Sequence, residues 1–124
     1  MSPTLPPVEF KIDEHVLGGN AYALDVHGEL DLHTAPVLRE RVAALLDEGA
    51  TGVLLDLSGV SFIDSIAVAV IVGAQRRLRG TGRVAIIGSG EYVELIFEAG
   101  GLDDVLARFD DRREAEDYVG ALGT

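Results

Sequence analysis

The sequence predicts a single α/β domain with a mixed, mostly parallel sheet of about four to five strands and about four helices. Three observations predict this class. The 124 residues suit one domain with its own hydrophobic core. Short, glycine-bounded apolar runs alternate with longer amphipathic stretches in the order β-β-α-β-α-β-α-β-α. The first two runs are joined by a tight turn, whereas the later ones are separated by crossovers long enough for parallel pairing.

The N-terminal third predicts two antiparallel strands and a helix. The stretch "VEFKIDEHV" from Val8 to Val16 alternates apolar and polar residues, as a half-buried strand does. "LGGN" at 17–20 is typical of a hairpin turn, and "AYALDVHG" at 21–28 continues as the second strand. Thr34 is the predicted N-cap of an amphipathic helix that ends at Gly49.

The central part predicts a buried β-α-β unit. "GVLLDLSG" at 52–59 and "RVAIIGSG" at 83–90 are short, apolar and bounded by glycine, as buried strands are. Valine and isoleucine would also suit a strand between them, but parallel neighbours need a crossover, which is normally helical. We therefore predict a helix from Ser65 to Arg79, almost wholly buried in its first half.

The C-terminal part predicts two further helices and a short strand. Ser89 can cap a helix that is stopped by the glycine pair at 100–101. An extended piece is expected at 105–109. The tail at 110–122 places apolar residues at helical spacing behind acidic residues, which predicts a final helix.

Composition limits the function classes. The chain has 21 acidic and 10 basic residues, a net charge of −11, so we expect no direct nucleic-acid partner. The lack of cysteine excludes disulfides and cysteine nucleophiles. We expect no membrane insertion and a cytoplasmic location, because no apolar run is long enough to span a bilayer and no signal peptide is evident. Residues 1–7 contain three of the 4 prolines and predict a disordered leader, which leaves 8–124 as the domain.

A polar pair, Asp64 and Ser65, stands directly before the apolar run from Ile66 to Ala74. The Ser65 oxygen could cap the predicted helix by accepting a hydrogen bond from a free backbone N–H. The same helix start would also tolerate a phosphate on Ser65, because helix N-termini favour negative charge. The pattern alone leaves both roles open.

Other polar clusters carry weaker signals. Four residues of metal-ligating type lie close together in "HGELDLH": His27, Glu29, Asp31 and His33. A solvated loop explains them more simply, so we predict no metal and no cofactor. No serine stands in a nucleophile motif and no nucleophile–base pair can be named, so we predict no catalytic residues and no enzyme. A small enzyme using Asp31, Asp56 or Asp64 at strand ends stays as an alternative.

Four stretches together resemble the STAS domain of bacterial anti-sigma factor antagonists: "GELDLHTAP", "LLDLSGVSFIDS", "GRVAIIG" and "IFEAGGLDDVLARFDDRREAEDYV". The resemblance extends from about Val8 to Leu122, and "DLSGVSFIDS" is its most specific part. It implies a single STAS-like domain and a switch that is not itself an enzyme.

The resemblance also implies a mechanism. The unphosphorylated antagonist would bind an anti-sigma factor that is also a serine kinase, and would so free a sigma factor for transcription in a stress response. The kinase would use ATP to phosphorylate the serine after the motif's aspartate, here Ser65, and a serine phosphatase would reverse the step. The partner would contact Glu29, Asp31, Asp64, Ser65 and Ile66. A weak homodimer stays an open alternative.

A second function fits the same fold. The chain would then be a constitutive STAS scaffold or an accessory subunit of a stress-signalling or lipid-transport complex, with Ser65 serving only as a cap. Ile66 and Ala67 favour this alternative, because the family usually has a small or hydroxylated residue followed by glycine at these two places.

Overall fold

The computed structural model describes residues 9–88, 91–102 and 105–120. The elements within these ranges follow the predicted order. They are β1 (Lys11–Gly18), β2 (Ala21–Leu30), α1 (Ala35–Asp47), β3 (Gly52–Ile63), α2 (Ser65–Leu78), β4 (Arg83–Ile87), α3 (Glu91–Ala99), β5 (Ala107–Phe109) and α4 (Arg112–Gly120). The leader predicted at 1–7, the cap predicted at Ser89 and the last predicted helical residues, 121–122, lie outside the described residues.

The strands form one sheet in the order β1-β2-β3-β4-β5. Strands β1 and β2 pair antiparallel, and the other neighbours pair parallel, each joined by a helical crossover. The predicted mixed, mostly parallel sheet is therefore confirmed.

The hairpin between β1 and β2 forms where the glycines stand. Gly18, Gly19 and Asn20 have positive φ angles of 96°, 60° and 66°. Glycine adopts this region without steric cost, and asparagine tolerates it better than most residues do. The predicted turn at 17–20 is thus confirmed, although the described strand begins at Lys11 rather than Val8.

Helices cover the two faces of the sheet unequally. One face carries α1, α2 and α3, and its larger core includes Leu38 of α1, Ile71 of α2 and Phe97 of α3. The other face is covered by α4, whose Ala115 and Val119 pack on strand residues that include Ala23, Leu54 and Ala85. Strand β3 lies at the centre of the sheet and contributes residues to the cores on both faces.

Two predictions about the helices are wrong, the second only in part. The first half of α2 is not almost wholly buried: Ala67 and Ile71 face the core, whereas Ile66 is 45% exposed and Ala69 is also exposed. Thr34 stands at the N-cap position of α1 as predicted, but its hydroxyl accepts no hydrogen bond from the helix N–H groups and instead bonds to the preceding loop. Only the Ala67 and Ile71 face of α2 meets the sheet, and the Thr34 hydroxyl is taken up by the Glu29 carbonyl.

Among the described residues, no helix is both long and apolar enough to cross a membrane.

Candidate partner-binding site

The loops after β2 and β3 lie side by side at one edge of the sheet. Parallel pairing continues to the last residues of both strands, where Leu30 stands opposite Ile63. The Asp64 backbone N–H then donates to the Leu30 carbonyl oxygen at 3.1 Å. The segment after Leu30, which includes Asp31, is therefore held next to the start of α2. These two segments together are called the switch end below.

The start of α2 is capped by Asp64, not by Ser65. Asp64 has extended backbone angles (φ −111°, ψ 177°), and its Oδ1 accepts hydrogen bonds from the N–H groups of Ile66 and Ala67, both at 3.0 Å. Ser65 is already the first helical residue, and the N–H groups of Ile66 and Ala67 that a cap serves are bonded to Asp64 instead. The prediction that Ser65 caps the helix is wrong.

Ser65 is left exposed at the tip of α2. Its hydroxyl has no hydrogen bond to any residue that the structure describes. A helix N-terminus carries partial positive charge, which favours an added anion. The serine is thus placed where another protein can reach it and where its own fold does not require it.

We expect Asp64→Ala to lower the free energy of unfolding by about 1 kcal/mol, the usual loss for removing an N-cap acceptor. Urea unfolding followed by circular dichroism measures this change. Asp64→Asn is the matched control, because its amide oxygen can still accept both N–H groups. Equal losses for the two variants would show that the negative charge, not the cap, is what stabilises α2.

Asp31 shapes the loop between β2 and α1. Its Oδ1 accepts hydrogen bonds from the N–H groups of His33 at 2.8 Å and Thr34 at 3.1 Å. The backbone hydrogen bond from His33 is the main cause that lowers the pKa of Asp31. The Thr34 hydroxyl accepts from the Asp31 N–H at 2.9 Å and donates to the Glu29 carbonyl at 2.6 Å. The Asp31 side chain therefore stabilises the conformation of this loop.

The switch end also exposes apolar side chains that the sequence reasoning missed. Leu32 in the loop is 59% exposed, and Val37 in the first turn of α1 is 44% exposed. Glu29, near the end of β2, is also exposed. The position of Leu32 between Asp31 and His33, in the polar stretch "HGELDLH", could have indicated its exposure. An acidic surface with exposed apolar residues suits a protein partner better than a small polar substrate.

Asp31, Asp56 and Asp64, the candidate residues of a small enzyme, all accept hydrogen bonds within the fold. Asp56 lies on the face covered by α4, where its Oδ1 accepts from the Ser58 N–H at 2.9 Å and its Oδ2 accepts from Arg112 Nη1 at 2.8 Å. Burial raises its pKa, but the hydrogen bonds from Ser58 and Arg112 outweigh burial and lower it. Asp31 and Asp64 instead accept hydrogen bonds from backbone N–H groups at the switch end. The three carboxylates therefore do not form one catalytic centre.

The possible ligands in "HGELDLH" do not converge either. His27 Nε2 lies 3.7 Å from Asp13 Oδ2 on the β1–β2 pair, whereas the Asp31 carboxylate is turned into its own loop. Across the described ranges, no group of three or more histidine, aspartate or glutamate side chains is arranged to hold a metal ion.

The sequence profile of the STAS domain matches residues 11–115, which span β1 to the first turn of α4. The chain belongs to the STAS domain family. A curated relative, the anti-sigma-B factor antagonist of Staphylococcus epidermidis, is 31% identical over 94 residues, covering 75% of this chain and 87% of the relative.

Solved STAS structures agree with the fold. An anti-sigma factor antagonist from Mycobacterium paratuberculosis has a TM-score of 0.77 at 22% identity. The match covers 90% of this chain and 92% of the antagonist. The antagonist SpoIIAA in its unphosphorylated form has a TM-score of 0.74 at 24% identity, with 91% and 97% covered. SpoIIAA has also been solved in a phosphorylated form. At these identities the likeness establishes the STAS fold.

Proposed function

We propose that this STAS protein is an anti-sigma factor antagonist. In this proposal its switch end binds an anti-sigma factor that is also a serine kinase, and phosphorylation of Ser65 ends the binding. Sigma-factor-dependent transcription is then on while Ser65 carries a free hydroxyl. The observation that carries the proposal is the exposed Ser65 hydroxyl at the N-terminus of α2, with Asp64 supplying the cap in its place.

The chemistry of the switch is local. The γ-phosphoryl group of ATP passes to the Ser65 oxygen, which loses its proton, and ADP leaves. The phosphate adds nearly two negative charges beside Asp64, partly offset by the dipole of the 14-residue helix. Because Asp64 keeps its hold on Ile66 and Ala67, α2 can stay folded while its surface changes charge. A serine phosphatase restores the starting state by hydrolysis.

The switch end indicates the chemistry of the partner. The carboxylates of Glu29, Asp31 and Asp64 make it acidic, in a chain of net charge −11. Exposed Leu32 and Ile66 need apolar contacts. A complementary partner surface is basic with an apolar recess, and added phosphate would weaken it by local repulsion and desolvation rather than by long-range forces.

The two departures from the family motif are compatible with this role. Ala67 is helical, donates its N–H to Asp64 and is fully buried, so the backbone freedom of glycine is not used there. Ile66 lines a groove between α1 and α2. The scaffold alternative retains one observation in its favour, the β-branched isoleucine directly after the acceptor serine, and the experiment below separates the two.

We expect Ser65→Asp to weaken binding to the anti-sigma factor by about a hundredfold, since like charges brought together at an interface cost several kcal/mol. Ser65→Ala should bind as the wild type does. Proteins are captured from lysate of the source organism with ADP and magnesium, so that Ser65 stays unphosphorylated, and are identified by mass spectrometry. The purified partner is then titrated by biolayer interferometry.

Two controls complete this test. Gln75→Glu adds one negative charge near the other end of α2 and should leave binding unchanged. Phosphopeptide mapping after incubation with the captured kinase should place the phosphate on Ser65. Equal affinity of the wild type and Ser65→Asp for the same partner would reject the switch in favour of a constitutive scaffold.

A further inference from the structure

A groove of about 360 Å³ runs between α1 and α2. Its lining from α1 includes Val42 and Leu46, and its lining from α2 includes Ile66, Val70 and Gly73. These residues recur every three or four positions, so each helix presents one continuous stripe to the groove. The volume falls in the range of small-molecule sites, and apolar side chains with few polar groups are typical of such sites.

Gly73 keeps the middle of the groove open. A Cβ built at Gly73 would have nothing within 4 Å apart from its own helix, so the packing of this chain does not require glycine there. Glycine inside a helix is also less stable than alanine. An exposed mid-helix glycine with free space above it is explained if the space serves another molecule.

Arginines stand at both ends of the groove. Helices α1 and α2 each connect parallel strands, so they run in the same direction, with Arg39 near the start of α1 and Arg77 near the end of α2. Arg77 is paired with Asp47. Arg39 is exposed and has no ion pair with a described residue. Arg39 thus offers a positive charge at the edge of the apolar groove.

We propose that this groove binds a small amphiphile with one unbranched hydrocarbon tail and an anionic head group. The tail lies along the apolar stripes over Gly73, and the head group pairs with Arg39 beside Ile66. The apolar area removed from water drives binding, and the arginine sets the preferred sign of the head group. The groove shares Ile66 with the switch end but does not include the Ser65 hydroxyl, so its binding of an amphiphile can be tested without the anti-sigma factor.

The test uses two probes that share one tail and differ in charge: decanoate and decyltrimethylammonium, both below their micellar concentrations. Amide shifts of the ¹⁵N-labelled full chain are followed by NMR during each titration. We expect decanoate to move the resonances of α1 and α2 and to bind about tenfold more tightly than the cation. Arg39→Gln should remove this preference, whereas Arg76→Gln, an exposed arginine of α2 outside the groove, should keep it.

Filling the groove provides the second arm. Gly73→Leu should weaken decanoate binding at least about tenfold by occupying the space of the tail, while Gln75→Leu, outside the lining, should not. Ala69→Leu repeats the test should Gly73→Leu fail to fold.

Three results would overturn the proposal: shifts spread evenly over the surface, equal binding of both probes, or unchanged affinity in the filled variants. Analytical ultracentrifugation of the chain without ligand tests the other possible occupant, a second copy of the chain. A wild-type dimer that Gly73→Leu converts to monomer would assign the groove to a second copy of the chain.

Discussion

Replacing Gly52 by alanine is expected to lower the free energy of unfolding by about 3 kcal/mol, the upper part of the range for overpacking a core. Gly52 begins β3 beneath the C-terminal end of α4. A Cβ there would overlap the Val119 carbonyl oxygen, with the carbonyl carbon at 3.0 Å and the Ala21 Cβ at 3.1 Å. These neighbours are backbone and core atoms, so relief requires moving α4 or the strand.

Urea unfolding at equilibrium measures the loss in Gly52→Ala. Gly120→Ala is a matched control at the end of the same helix, because a Cβ at Gly120 meets nothing within 4 Å. We expect the control to unfold at the wild-type urea concentration or slightly above it. A wild-type midpoint for Gly52→Ala would mean that α4 is not held against β3 in solution.

Replacing Arg112 by methionine is expected to cost about 2 to 3 kcal/mol at neutral pH. Arg112 Nη1 donates to Asp25 Oδ1 at 2.7 Å and to Asp56 Oδ2 at 2.8 Å, and its Nε donates to Glu116 Oε2 at 2.9 Å. Methionine keeps much of the side-chain volume but leaves three carboxylates without their cation. Removing one partner of a buried pair costs about 3 to 5 kcal/mol, reduced here because the Arg112 side chain is 35% exposed.

This cost should depend on pH. In the wild type, the pKa of Asp56 is lowered despite burial, through its bonds to Ser58 and Arg112. Its stabilising effect is therefore present above the unfolded pKa near 3.8 and is lost as the pH falls through the folded value. Without Arg112, burial and the neighbouring Asp25 favour protonation instead. The difference between variant and wild type should be largest at pH 7 and should shrink as the pH falls to about 3, below the unfolded pKa of Asp56.

Unfolding by urea at both pH values checks this prediction. Arg113→Met removes a charge from the neighbouring exposed residue and should cost less than about 0.5 kcal/mol at either pH. A difference for Arg112→Met that stays constant with pH would mean that packing of the side chain, rather than charge pairing with Asp25 and Asp56, accounts for the loss.

The elements of this fold were predictable because their signals are local. The glycines and asparagine at 18–20 reach positive φ at low cost, which favours a turn, and the hairpin forms there. The strand–helix alternation also follows from residue spacing, since a crossover of helical length leaves few ways to pair β3 with β4. The position of Ser65 at the start of α2 was predictable for the same reason.

The roles of individual polar residues were less predictable, because neighbouring residues of similar chemistry compete for one position. Asp64 and Ser65 are both good N-caps, and the pairing of Leu30 with Ile63 decides that β3 ends one residue before Asp64. Thr34 is likewise drawn away from α1 by the carbonyl of Glu29. Exposure of Ile66 depends on how α2 is rotated against the sheet, which propensity does not determine.

By itself, the sequence determined the order of strands and helices, the hairpin turn, the strong negative charge and the serine at the start of α2, since each depends on residues close together in the chain. Only the tertiary structure decided which residues far apart in the chain come into contact. Arg112 meets Asp25, 87 residues away, and the stripes of α1 and α2 form a groove because two crossovers lie on one face of the sheet. Such contacts depend on topology and register, which no short stretch of sequence encodes.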